Sequence, residues 1–142
     1  MVVKKAEKHA DDEKLRMQLF TKHKKGEEHP RDYEKLFDRD IAEASRRIDL
    51  NDKDAGAYAK RATAYLCKGE YDKAISDFSK RVDLDKKNPE AYYDRGIAHF
   101  CKGNADEFIK DLKKTLDLDP GRSDVRDMLK SFAQKKKKAD EA

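Results

Sequence analysis

The sequence predicts an all-α fold, a solenoid of antiparallel helix pairs, on three observations. The first is self-similarity: AYAKRATAYLCKG at 57–69 returns as AYYDRGIAHFCKG at 91–103, a period of 34 residues. The second is another string with the same period, IDLND from Ile48, VDLDK from Val82 and LDLDP from Leu116. The third is helical spacing within a unit. Tyr58, Ala62 and Tyr65 share one helix face, and Ala74, Ile75, Phe78 and Val82 form the stripe of a second helix. Two independent strings with one period mark stacked supersecondary units, none of which can bury its apolar face alone.

Residues 11–54 read as a divergent first repeat with a long turn. Its first helix is predicted over Asp11–Lys25, carrying Leu15, Leu19 and Phe20 and stopped by Gly26. The stretch Gly26–Arg31, with Pro30, is predicted to be irregular. Leu36, Phe37, Ile41, Ala44 and Ile48 then mark the second helix. Residues 55–88 and 89–122 form the second and third repeats. Gly69 and Gly103 stand where each first helix must stop, since glycine enters the left-handed cap without strain. Pro89 and Pro120 suit the first turn of a new helix. Ser123 is expected to N-cap a capping helix over 123–134 with Val125, Met128, Leu129 and Phe132 inward. The basic tail, 135–142, is expected to fray. Between the two clear repeats, Tyr71 with Ala74 becomes Ala105 with Phe108, an exchange that conserves core volume.

Composition fits a single domain of this kind. The chain has 142 residues, 37% hydrophobic and 45% charged, enough for a thin core one helix layer deep but not for a thick one. Its net charge of +4 comes from 34 basic and 30 acidic side chains. Only Lys135–Lys138 collects charge of one sign, so the balance argues for solvated helix faces over a nucleic-acid surface. No apolar run approaches bilayer length and the N-terminus has no signal-peptide core, so a soluble, cytoplasmic protein is expected. Cys67 and Cys101 fit as reduced thiols.

The same residues resemble the tetratricopeptide-repeat family. Its motif is matched by Tyr58, Ala62, Tyr65, Gly69, Tyr71, Ala74 and Phe78, and then by Tyr92, Gly96, Gly103 and Pro120. The departures are Lys86 for proline, His99 and Leu112 for aromatics, and Arg61 and Arg95 for leucine. The resemblance implies a right-handed solenoid of about three repeats with a capping helix. It further implies a protein-interaction adaptor that holds a peptide or helix of a partner in a concave groove. Carried over residue by residue, the groove comprises Lys60, Thr63 and Leu66, then Glu90, Tyr93, Asp94, Ile97 and Phe100. The divergent repeat adds Arg16 and Phe20. Tyr93, Ile97 and Phe100 recur at helical spacing on a face that the core does not need, as interface anchors do. Family members that bind acidic chaperone tails resemble one another in a two-carboxylate clamp of lysine, asparagine and arginine. Here Lys60, Glu90 and Asp94 fall on clamp positions, and two acids would repel such a ligand. Binding of acidic chaperone C-terminal tails through such a clamp is therefore not expected. A ligand with lysine or arginine near Glu90 and Asp94 suits the groove better.

Other chemistries find little support. His9, His23 and His29 lack metal-ligand spacing, and His99 occupies a repeat-core slot, so no metal is expected. No phosphate loop, nucleophile elbow or paired carboxylate in an apolar pocket is visible, so neither cofactor nor catalysis is expected. The alternative from a different class is an accessory protein recruited to nucleic acid or anionic membrane through Lys135–Lys138, with the repeats as a spacer.

Overall fold

The computed structural model describes residues 30–141. Six helices occupy most of that span: α1 (Pro30–Leu50), α2 (Ala55–Cys67), α3 (Tyr71–Leu84), α4 (Pro89–Lys102), α5 (Ala105–Leu118) and α6 (Ser123–Glu141). There is no strand among the described residues. The helix expected over Asp11–Lys25 lies outside them.

Each boundary has a local cause. The side chains of Asp54 and Asn88 accept from the backbone N–H groups of Ala57 and Glu90, both at 3.0 Å. These bonds engage donors that the first turn of α2 and of α4 leaves without an intrahelical partner. Gly69 and Gly103 adopt φ of 78° and 98°, where a Cβ would meet the following carbonyl. The next N–H then turns back, Glu70 to the Tyr65 carbonyl and Asn104 to that of His99, each at 2.9 Å. These bonds cap the last turn and reverse the chain. At the other end of each pair, the Tyr58 and Tyr92 hydroxyls donate to the carbonyls of Asp52 and Lys86 at 3.0 Å. Each aromatic thus fills the core and ties down the turn before its own helix.

Apolar stripes then meet. Ala62, Ala74, Phe78 and Ala98 form one buried cluster, with Tyr65, Leu66 and Ile75 against it. Ile97, Phe108, Leu112 and Val125 form a second, covered by Met128, Leu129 and Phe132 of α6. Small residues at 62, 74 and 98 let helices approach closely, and Phe78 fills what remains. Within each clear pair an arginine on the first helix grips an aspartate on the second. Arg61 meets Asp77 at 2.7 and 2.8 Å, and Arg95 meets Asp111 at 2.9 and 2.8 Å. Arginine at these positions, where the family has leucine, thus replaces an apolar contact with a two-pronged ion pair.

Three expectations change. Pro30 opens α1 and does not break it, because a proline in the first position lacks only an N–H that no intrahelical bond requires. The last helix does not stop at residue 134 but continues through Lys135–Lys138 to Glu141, since that stretch contains no glycine or proline to end it. The volume exchange also runs differently. Phe108 is buried but Tyr71 is only half-buried. Gly96 instead admits the close approach of α5, since a Cβ there would lie 3.1 Å from that of Asp111.

Candidate functional site

Helices α2, α4 and α6 touch one another along the stack. Leu66 of α2 packs on the cluster around Ile97, and the Phe100 ring of α4 lies 5.8 Å from that of Phe132 on α6. The residues expected to line a groove along these helices fall into two groups.

The α4 group is closed. Ile97 is 1% exposed, so it is a core residue and not a groove residue. The sequence pattern placed it on a spare face, but α6 brings Val125 onto that face. Phe100 packs against Phe108 at 4.9 Å as well as against Phe132. Tyr93 lies against the same cluster, with the Arg122 guanidinium 5.0 Å from its ring centre. Its burial raises the phenol pKa. Glu90 is bonded to Arg122, which also holds Asp124 at 3.0 Å. Asp94 is bonded to Arg81 of α3 at 2.6 Å. The two acids expected to receive a ligand's cation are thus already occupied by arginines of this chain.

Among the described residues, the α2 group is open. Lys60 and Thr63, with Ala59 and Ala64 of the same helix and Phe37 and Asp40 of α1, line a hollow of ≈ 210 Å³. That is below the range of about 300–1,000 Å³ for small-molecule pockets, and suits one inserted side chain. Thr63 turns its hydroxyl onto the Ala59 carbonyl at 2.9 Å, so its polar atom is satisfied within the helix. Lys60 sits 3.0 Å from Glu43 and 4.0 Å from Asp40. The bond from Lys60 holds the Glu43 carboxyl below its usual range. Leu66 is half-buried between the two cores, and burial raises the Cys67 thiol pKa, with Asp40 adding to it. Arg16 and Phe20 lie outside the described residues.

Phe37, Asp40 and Ala64 were not anticipated. A signal existed for Asp40. One period later its slot holds the buried Ala74, so a carboxylate there marks a place where the repeat stops behaving as core. At that later position Ala62, Tyr65 and Leu66 of the preceding helix pack beside Ala74.

A model of the family described as TPR repeat matches residues 62–103. Over that stretch the chain is similar to tetratricopeptide-repeat proteins. Solved structures agree with this. The first tetratricopeptide domain of Spaghetti (RPAP3), bound to the HSP90 peptide SRMEEVD, is 26% identical with a TM-score of 0.65. That match covers 70% of this chain and 79% of the other. The Arabidopsis OM64 domain is 28% identical with a TM-score of 0.64, covering 70% and 83%. MamA protein is 34% identical over 59% of this chain and 46% of its own, with a TM-score of 0.54. A comparison with curated protein sequences finds no match. Among the described residues, no helix is long and apolar enough to cross a membrane. Nor do any three His, Cys, Asp or Glu side chains there cluster to hold a metal.

Proposed function

We propose that the chain is a protein-interaction module that binds a peptide or helix of a partner, with the open surface of α2 as its binding face. The hollow between α1 and α2 carries this reading. It takes one side chain as an anchor, while Lys60, Thr63 and Leu66 flank the path of the backbone beyond it. The similar domain seen with an HSP90 peptide supports the mode of binding but not the same ligand. An acidic tail needs free cations, whereas Lys60 is engaged by Glu43 and Asp40, and Glu90 and Asp94 stand at clamp positions. The peptide SRMEEVD should bind this chain more weakly than about 10 μM, near −7 kcal/mol. The alternative, recruitment through Lys135–Lys138 to nucleic acid or membrane, finds no support in the comparisons.

The test is selection of a displayed peptide library on the whole chain, repeated with Thr63→Phe. A phenylalanine at 63 fills the hollow from inside and adds apolar contact, so helicity and thermal midpoint should hold while enriched peptides lose affinity at least tenfold. Failure of any peptide to enrich, or enrichment indifferent to this substitution in a folded variant, overturns the proposal.

A further inference from the structure

The chemistry of the hollow specifies more than that a side chain enters it. Its apolar surface comes from Phe37, Ala59 and Ala64, and its polar edge from two groups of opposite sign. These groups are unequally matched. The Lys60 ammonium lies 3.0 Å from Glu43, but Asp40, which lines the hollow itself, is 4.0 Å from that ammonium. At 4.0 Å an ion pair has no hydrogen bond, so the Asp40 carboxylate is the less satisfied of the two. Its side chain is 33% exposed, dry enough to strengthen a charge–charge contact over its value in bulk water and open enough to be reached. On α4 and α6, by contrast, aspartate and glutamate are held by arginine: Asp94 by Arg81, and Glu90 and Asp124 by Arg122.

We infer that the hollow receives a partner segment in which one apolar side chain is followed, at a distance of one or two residues, by a lysine or arginine. The apolar group seats on Phe37, Ala59 and Ala64, and the cation completes Asp40. The inference rests on the peptide-binding reading above and adds the ligand's chemistry to it. It separates this chain from the acidic-peptide complex seen for the similar domain, because a glutamate or aspartate beside the anchor would face Asp40, while the Lys60 ammonium is already bonded to Glu43.

The test uses the full chain and amidated heptapeptides with a central leucine flanked either by lysines or by glutamates. Affinities are measured at low and at physiological salt for the natural chain, Asp40→Asn and Asp40→Lys. The lysine peptide should bind the natural chain at least tenfold tighter than the glutamate peptide, with the difference shrinking as salt rises. Asp40→Asn should weaken it about fivefold, the scale of a partly exposed charge pair, and Asp40→Lys should reverse the preference. Equal binding of both peptides, or a preference untouched at position 40, overturns the ligand assignment and leaves peptide binding intact. Absence of binding by either peptide, together with failure of the library selection, overturns the function itself. A photo-cross-linker at position 63 identifies the occupant. Cross-linking to the added lysine peptide supports the inference. Cross-linking within the chain to residues 1–29, undiminished by the peptide, overturns it by placing the chain's own Leu15, Leu19 or Phe20 in the hollow.

Discussion

His99 stands where the preceding repeat has Tyr65, and it fits that place imperfectly. Its Nδ1 is buried without a hydrogen-bond partner among the described residues, and burial lowers its pKa from 6.5. Asp111 and Glu107 oppose that shift, and Arg95 and Lys102 add to it. Because the folded pKa lies below the unfolded one, the unfolded chain takes up this proton first as pH falls. The associated stability is complete above about pH 6.5 and is lost below it. His99→Phe should raise stability by about 1 kcal/mol at neutral pH and flatten the pH dependence below about pH 6.5. Urea unfolding across that range is the measurement, and an unchanged slope would refute the assignment. Gly96 makes the opposite case. Alanine there gains about 1 kcal/mol of helix propensity, but its Cβ would press on Asp111 at 3.1 Å, and Arg95 holds Asp111 with two bonds. Gly96→Ala should therefore lose about 1 kcal/mol net; a gain would show that the α4–α5 contact yields.

At the scale of the element, the Arg–Asp pairs decide how each helix leans on its neighbour. The side chain of Asp111 is only 4% exposed and that of Asp77 8%, so neutralising either leaves a guanidinium facing a half-dry space. Hydrogen bonding to the carboxylates raises the pKa of Arg61 and Arg95, so neither can escape by losing its proton. Asp111→Asn should cost about 2 kcal/mol. Asp77→Asn should cost less, because Arg61 keeps a bond to the Ser45 hydroxyl at 3.2 Å. Thermal midpoints in the reverse order would refute this ranking. These pairs also show what was legible in the sequence. The 34-residue period located both arginines and both helices, because period and turn chemistry are local. It did not show that Arg61 and Arg95 reach aspartates sixteen residues on, since that depends on how far apart two helices pack. Ile97 was misplaced for a related reason. Spacing identifies a helix face, but only the position of α6 determined that this face would be covered.

For the whole molecule, the decisive element is α6. Its first half seals the cluster of Ile97, Phe108 and Leu112 with Val125, Met128, Leu129 and Phe132, while residues 133–141 are exposed. Truncation after residue 122 should uncover that cluster and produce a chain that aggregates or melts well below the natural one. Removal of 135–142 forfeits the exposed Lys136–Asp106 pair, 3.1 Å apart, and should change stability by less than about 1 kcal/mol. Peptide affinity should be unaffected. Comparison of the two truncations by calorimetry checks both statements. The basic run was visible in the sequence but its helical state was not, because continuation of a helix past its last apolar contact depends on the absence of a stop signal.

Of the ion pairs between successive repeats, one set keeps its polarity, Lys68 with Asp38 and Lys102 with Asp72, and another reverses it. At the first junction α1 supplies the acids, Asp40 and Glu43, and α2 the base, Lys60. At the second, α3 supplies the base, Arg81, and α4 the acid, Asp94. Units that share one shape are therefore not interchangeable. Transposing residues 55–88 with 89–122 would set Asp94 against Asp40 and Glu43, and Lys60 against Thr115 in the place of Arg81. The backbone would accept either order, but the charges at positions 60 and 94 accept one, so the chain carries an address for each of its like-shaped parts.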